Sequence, residues 1–232
     1  MRIWDLHPGY LNRESLLGEH RELHGIVSII VNGRKGYARH PETLRWVGRG
    51  WALRMRHRQL SCEMALRGFR EQSPVRTRSA PGKWPNTWID SPEQQFRLLR
   101  EKYADRKPGR IPLPRNTQQL WSHHKYSVLA RDPGLYREIG ASVASNGTGF
   151  GELACLLTAS LRERPGEGGI RNAVQHMWGY VSDAGFVDRS DTGFWSTRRL
   201  LQETQRRALA NKVSYLMSST ALSELRVWLP DR

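Results

Sequence analysis

The chain has 232 residues, long enough to bury a core without help from disulfides or metal. Its 37 basic and 22 acidic residues leave a net charge of +15, which excludes an acidic solvated tail as the dominant feature and points to a polyanionic partner, nucleic acid foremost. Six of the basic residues are Lys and 31 are Arg, the side chain whose planar fork grips phosphate and stacks on bases.

No apolar stretch approaches the roughly 20 residues that span a bilayer. The longest, Ile26 to Val31, is broken by Ser28. The opening Met1-Arg2-Ile3-Trp4-Asp5 lacks the apolar region of a secretory signal, and Cys62 and Cys155 stand alone without metal-ligand spacing. These features predict a cytoplasmic protein with reduced thiols and no membrane partner.

Taken in chain order, apolar residues recur at helical spacing from Leu16 to Val31, from Leu44 to Leu66, from Phe96 to Tyr103, and repeatedly between Leu120 and Leu229. Strand-like alternation is nearly absent, so the fold class is all-α. The first two helical segments are joined by the turn-rich basic loop Val31-Asn32-Gly33-Arg34-Lys35-Gly36, and the second ends at Gly68. Residues 71–92 carry five prolines and glycines but also Trp84, Trp88 and Ile89, which predicts an ordered loop. The Lys-Pro-Gly-Arg-Ile-Pro-Leu-Pro stretch at 107–114 is the better boundary. Two helical domains or lobes follow, 1–106 and 107–232.

Residues 1–80 hold 15 Lys or Arg against 7 Asp or Glu, a net +8, so the polyanion-binding surface is expected near the N-terminus. Arg45, Arg49, Arg54, Arg56 and Arg58 fit either a phosphate grip or an ordinary solvated helix face.

The segment Gly18-Glu19-His20-Arg21-Glu22-Leu23-His24 crowds five ionisable groups into one and a half helical turns. On a 3.6-residue period Glu22 lies over Gly18, whose missing side chain leaves room beside the carboxylate. A solvated amphipathic face would carry the same charges. His20 and His24, four apart, could share a metal with Glu19 nearby, but a structural zinc needs two more ligands and no Cys pair supplies them. Polar contacts near a site, or a contact between helices, are the alternatives preferred for these two residues.

Met1 to Leu6, the His20-Arg21-Glu22-Leu23 segment, the Asn32-Gly33-Arg34-Lys35 turn and the closing Arg67-Gly68-Phe69 together resemble the pyrimidine-dimer DNA glycosylase/AP lyase family of the endonuclease V type. The order and spacing of all four pieces match. The resemblance covers about the first 75 residues and implies a small helical fold with no metal and no cofactor, acting on double-stranded DNA that carries a damaged or modified base. In that family the chain's own α-amine attacks C1′ of the damaged nucleotide, assisted by a glutamate on the first long helix.

The match places this glutamate at Glu22 and two site arginines at Arg2 and Arg21. A third family arginine falls at Gly25 and an earlier histidine at Ser15, so the lesion contacts need not be those of the phage enzyme. The bulky Arg2 predicts retention of Met1, which makes the Met1 amine the expected nucleophile. An α-amine titrates in general near pH 8, two units below Lys, and can form a Schiff base where water only hydrolyses. Arg2, Arg21, His20, His24, Arg34, Lys35 and Arg39 are the expected DNA contacts, the last three through the loop after the first helix.

From Leu120-Trp121-Ser122-His123-His124-Lys125-Tyr126 through Tyr136 to His176, Trp178 and Tyr180, the second half resembles a bacterial helical domain of unknown function. Its aromatic, His and Lys residues fit either a stacking groove for nucleic acid or core contacts. Two other readings of the whole chain stand beside the enzyme. One is a non-catalytic, damage-recognising or architectural DNA-binding protein, and the other is a metal-dependent nuclease built on His20 and His24.

Overall fold

The computed structural model describes residues 1–78, 80–182 and 191–230. Among them the regular structure is helical throughout, as the missing alternation predicts, and the chain divides into two compact units, Met1–Gly109 and Arg110–Arg232. Residues 183–190, within the span read as helical after Leu120, lie outside the described residues.

The first unit opens on an extended segment that enters a 3₁₀ turn at Pro8–Tyr10, where the His7 Nδ1 accepts from the Gly9 N–H at 2.9 Å. Helix α1, Arg13–Asn32, is capped by Asn12, whose side chain accepts from the Ser15 N–H and satisfies one of the four free donors of the first turn. Its buried face is Leu16, Glu19, Leu23 and Ile26, an i, i+3, i+7, i+10 stripe that carries one carboxylate among the aliphatics.

The single helical segment expected between Leu44 and Leu66 is in fact two. Helix α2, Pro41–Trp46, and helix α3, Gly50–Leu66, are separated at Gly48, whose φ of 73° is left-handed and interrupts the helix. Helix α4, Pro92–Lys102, begins four residues before the expected apolar run, because Ser91 and Gln94 form a reciprocal capping box with Pro92 at the first turn. The core of this unit is built from Leu16, Leu23 and Ile26 of α1, Leu53 and Leu60 of α3, and Phe96 and Leu99 of α4 around Tyr10.

Three arginines fasten the first twelve residues to this core. Arg45 donates to the Ile3 carbonyl at 3.1 Å, Arg56 to the Leu6 carbonyl at 3.0 Å, and Arg67 to the carbonyls of Leu11, Gly9 and Pro8 at 2.8, 3.1 and 3.3 Å. Each is neutralised by a buried carboxylate: Arg45 by Asp5 and Glu42, Arg56 by Glu19, Arg67 by Glu63. Both readings of Arg45 and Arg56, phosphate grip and solvated face, are therefore corrected, since both side chains are only 2–3 % exposed and already paired with carboxylates. An extended segment has unsatisfied carbonyls, and guanidinium groups with several fixed donors can bridge them to a helix core.

In the second unit, helices α5 (Thr117–Leu129), α6 (Pro133–Ala144), α7 (Phe150–Ser160), α8 (Glu167–Ser182) and α9 (Thr197–Ala210) are followed by two one-turn helices, α10 (Ser214–Met217) and α11 (Ala221–Glu224). Helix α5 packs on α6, α7, α8 and α11 and is the centre of the unit. At the α5–α8 contact Gly169 is indispensable: a Cβ there would lie 2.1 Å from the Ala130 carbonyl oxygen. Arg131 and Glu224, bonded at 2.5 Å and nearly inaccessible, tie α11 to the end of α5.

Half of the aromatic and imidazole residues read in this half are core, while Trp121 and Tyr136 are partly buried and His176 is exposed. His123, His124, Tyr126 and Trp178 are buried, while Tyr180 is half exposed with its ring 4.8 Å from that of Tyr215. Burial, with Arg110 as the lesser cause, holds His123 down at about 4. Burial holds His124 down at about 3, although its Nδ1 lies 2.9 Å from the Leu120 carbonyl.

Both imidazoles therefore fold neutral. The stability this contributes is complete above the unfolded value of 6.5 and is lost as the pH falls toward 4. We expect urea unfolding free energy to decline between pH 6.5 and 4, each imidazole contributing up to about 1.4 kcal/mol per pH unit. His124→Gln, whose side-chain amide can still donate to Leu120, should flatten the decline. An unchanged slope in that variant would contradict the assignment.

Candidate active site

Glu22 lies on α1 at the edge of the helix's buried stripe, about 80° around from its centre, and is half-buried, with Gly18 one turn before it and Gly25 one turn after. A Cβ added at either glycine would meet nothing within 4 Å, so the backbone around Glu22 borders open space. Arg21 beside it is exposed, its Nε donating weakly to the Leu17 carbonyl at 3.4 Å.

The backbone N–H of Arg2 donates to Glu22 Oε2 in a short hydrogen bond. The α-amine of Met1 is three covalent bonds from that nitrogen and so lies within about 4 Å of it. Terminal amine and carboxylate thus share one side of α1. The arginine clamps fix this register, and α4 adds to them: the Asp5 N–H donates to Gln95 Oε1 at 2.8 Å, and Gln95 Nε2 donates to Asp5 Oδ2 at 2.9 Å. The guanidinium of Arg2 pairs with Asp90 at 2.5 Å and stacks 4.2 Å over the Trp4 ring. Arg2 thus already holds an anion, Asp90, which the reading of it as a phosphate contact did not foresee.

Arg34, Lys35 and Arg39 lie together in the exposed loop that follows α1, with Tyr37 exposed among them and 6.1 Å from His40.

His20 and His24 turn the other way. Their rings meet each other at 4.7 Å and the ring of His57, on α3, at 5.1 and 5.0 Å, forming a contact between helices. Of the uses left open for them, surface contact with DNA is the one this packing does not favour. His20 Nε2 lies 3.2 Å from His57 Nε2, and Glu71 Oε1 is 3.8 Å from both. Burial, reinforced by the neighbouring imidazole His20, holds His57 down at about 4. Burial, followed by His24, lowers His20 as well. Spacing does not mark His57 and Glu71 as partners, because they stand 33 and 47 positions after His24 in the chain.

Glu19 faces the core rather than the open side. Arg56 grips it with two bonds of 2.7 and 3.1 Å, and burial pushes its carboxyl up to about 7 against the pull of Arg56. It is a structural carboxylate, distinct in environment from Glu22 three residues on.

Comparison with known families agrees with the sequence reading. Residues 1–77 match the family model described as pyrimidine dimer DNA glycosylase. Residues 125–186, within the second unit, match a family described only as a protein of unknown function. No curated protein and no solved structure matches the chain. No helix among the described residues is long and apolar enough to cross a membrane.

Proposed function

We propose that the protein is a DNA-repair glycosylase with AP lyase activity, in which residues 1–109 form the catalytic domain and the Met1 α-amine is the nucleophile. The observation that carries this reading is the Arg2 N–H bonded to Glu22, which puts the chain's first atoms and a half-buried carboxylate on the same open face. The match of residues 1–77 to pyrimidine dimer DNA glycosylases supports the substrate class, a dimerised or otherwise damaged pyrimidine in duplex DNA.

The chemistry balances with these groups alone. The neutral amine nitrogen bonds to C1′ while the glycosidic bond breaks, its electron pair leaving on the base nitrogen. The departing base takes a proton from the new ammonium, the nitrogen lone pair then opens the sugar C1′–O4′ bond to give an iminium, and O4′ takes a proton from water. Glu22 takes the proton from C2′, and the C3′–O bond breaks with its pair departing on the phosphate, which cleaves the strand. Water hydrolyses the imine and restores the amine. Before attack, a carboxylate beside C1′ stabilises the positive charge developing on the sugar. Reaching C1′ requires distortion of the duplex, which damage that weakens pairing makes less costly.

Arg21, and the loop bearing Arg34, Lys35 and Arg39, grip the backbone on either side of the distortion. The triple variant Arg34→Ser, Lys35→Ser, Arg39→Ser should weaken binding across sequences and reduce the slope of log affinity against log salt by about 0.9 for each phosphate no longer neutralised. A slope equal to the parent's would remove the loop from the interface.

The test of the proposal is borohydride trapping on a panel of duplexes carrying a cyclobutane dimer, an abasic site, a modified pyrimidine or no lesion. Hydride reduces the imine to a stable amine, so a covalent complex on lesion-bearing duplexes alone is the expected result. Tight, salt-dependent binding with no adduct on any duplex would leave the non-catalytic DNA-binding protein as the reading.

A further inference from the structure

Four donor side chains converge in the first unit away from Glu22. His20 and His24 of α1, His57 of α3 and Glu71 just beyond α3 each offer one ligand atom, and all four atoms lie within 4.8 Å of one another. A tetrahedral ion with bonds of about 2.1 Å holds its ligands about 3.4 Å apart. The separations of 3.2 Å between His20 and His57, and of 3.8 Å from each to Glu71, bracket that value.

A hydrogen bond between His20 and His57 would use one lone pair and explain two of these groups. It leaves His24 unexplained, because its Nε2 is inaccessible and has no hydrogen-bond partner. A buried polar atom without a partner calls for a specific cause, and a ligand completing the cluster supplies one. The orientation of His57 agrees: its Nδ1 faces Ser61 Oγ at 3.5 Å, which leaves Nε2 to point into the cluster.

We propose that His20, His24, His57 and Glu71 bind a divalent transition metal ion of the zinc type. Three imidazole nitrogens and one carboxylate oxygen suit such an ion better than calcium or magnesium, which take oxygen ligands. Four protein ligands close a tetrahedral shell, which defines a structural rather than a catalytic site. The position agrees, for at 3.6 residues per turn His20 and His24 each lie about 160° around α1 from Glu22. The ion clasps α1 to α3 and anchors the start of the loop after α3. It takes no part in the amine chemistry, so failure of one proposal leaves the other standing.

The experiment uses the full chain, stripped with chelator and titrated with Zn²⁺ and, separately, Co²⁺. One equivalent of Zn²⁺ per chain, a rise in melting temperature on binding, and the intense visible absorption of four-coordinate Co²⁺ are the expected results. Glu71→Gln and His24→Gln should each weaken Zn²⁺ binding by more than the roughly 10- to 100-fold typical of removing a group that only supports a ligand. Substoichiometric binding by the parent, a six-coordinate Co²⁺ spectrum, or one equivalent bound equally well by both variants would overturn the proposal. The Co²⁺ spectrum of the parent decides even if a variant does not fold.

Discussion

We expect Glu22→Gln to lower the rate of strand cleavage at a lesion roughly 10²- to 10⁴-fold, the range for losing a positioned general acid-base group. The substitution is conservative for the fold: a Gln oxygen can still accept the Arg2 N–H that Glu22 accepts, and the glycines on either side leave the side chain unencumbered. What it removes is the negative charge and the base. Lesion binding should stay within a few-fold of the parent, since Arg21 and the loop after α1 are untouched. Adding one residue ahead of Met1 gives the companion result. It moves the amine one residue, about 3.8 Å of chain, from its place beside Glu22 and abolishes trapping while binding persists. Single-turnover cleavage and trapping measured side by side check both, and a variant cleaving at the parent rate would remove Glu22 from the mechanism.

Arg56→Met produces the largest loss of stability we expect, about 3–5 kcal/mol in chemical denaturation. The change deprives the fully buried Glu19 of its cation and leaves the Leu6 carbonyl without its donor. Glu19, already pushed up to about 7, becomes neutral rather than remain a lone buried charge. Adding Glu19→Leu should recover most of the loss, because replacing both members of a buried pair by apolar residues is often neutral. The part not recovered reports the orphaned Leu6 carbonyl, about 1–3 kcal/mol. If the double variant is no more stable than Arg56→Met alone, the ion pair is not what the arginine is there to satisfy.

These two residues also show what was legible in the sequence. Helix α1, the open side around Gly18 and Glu22 and the basic loop after it follow from 3.6-residue spacing and turn chemistry, which act locally. Arg45 and Arg56 do not follow, because net charge records how many cations there are and not which have buried partners. The signal was present in Glu19: it sits on the stripe with Leu16, Leu23 and Ile26, and a carboxylate in an apolar stripe demands a cation from elsewhere in the fold. The histidine cluster had no such local mark. Spacing along α1 gives the His20–His24 pair, while His57 and Glu71 join it only through the packing of α3 on α1. The break at Gly48 did have a local mark, the glycines at 48 and 50, but apolar positions recur on both sides of it and spacing alone joins the two helices into one.

The central claim is that the chain's own first amine forms the bond to deoxyribose. The most direct measurement is to reduce the complex with borohydride, digest it with protease and locate the peptide that carries the sugar by mass spectrometry. The expected adduct is the sugar on the Met1 nitrogen, in the peptide that begins the chain. An adduct on any of the six lysines would contradict it.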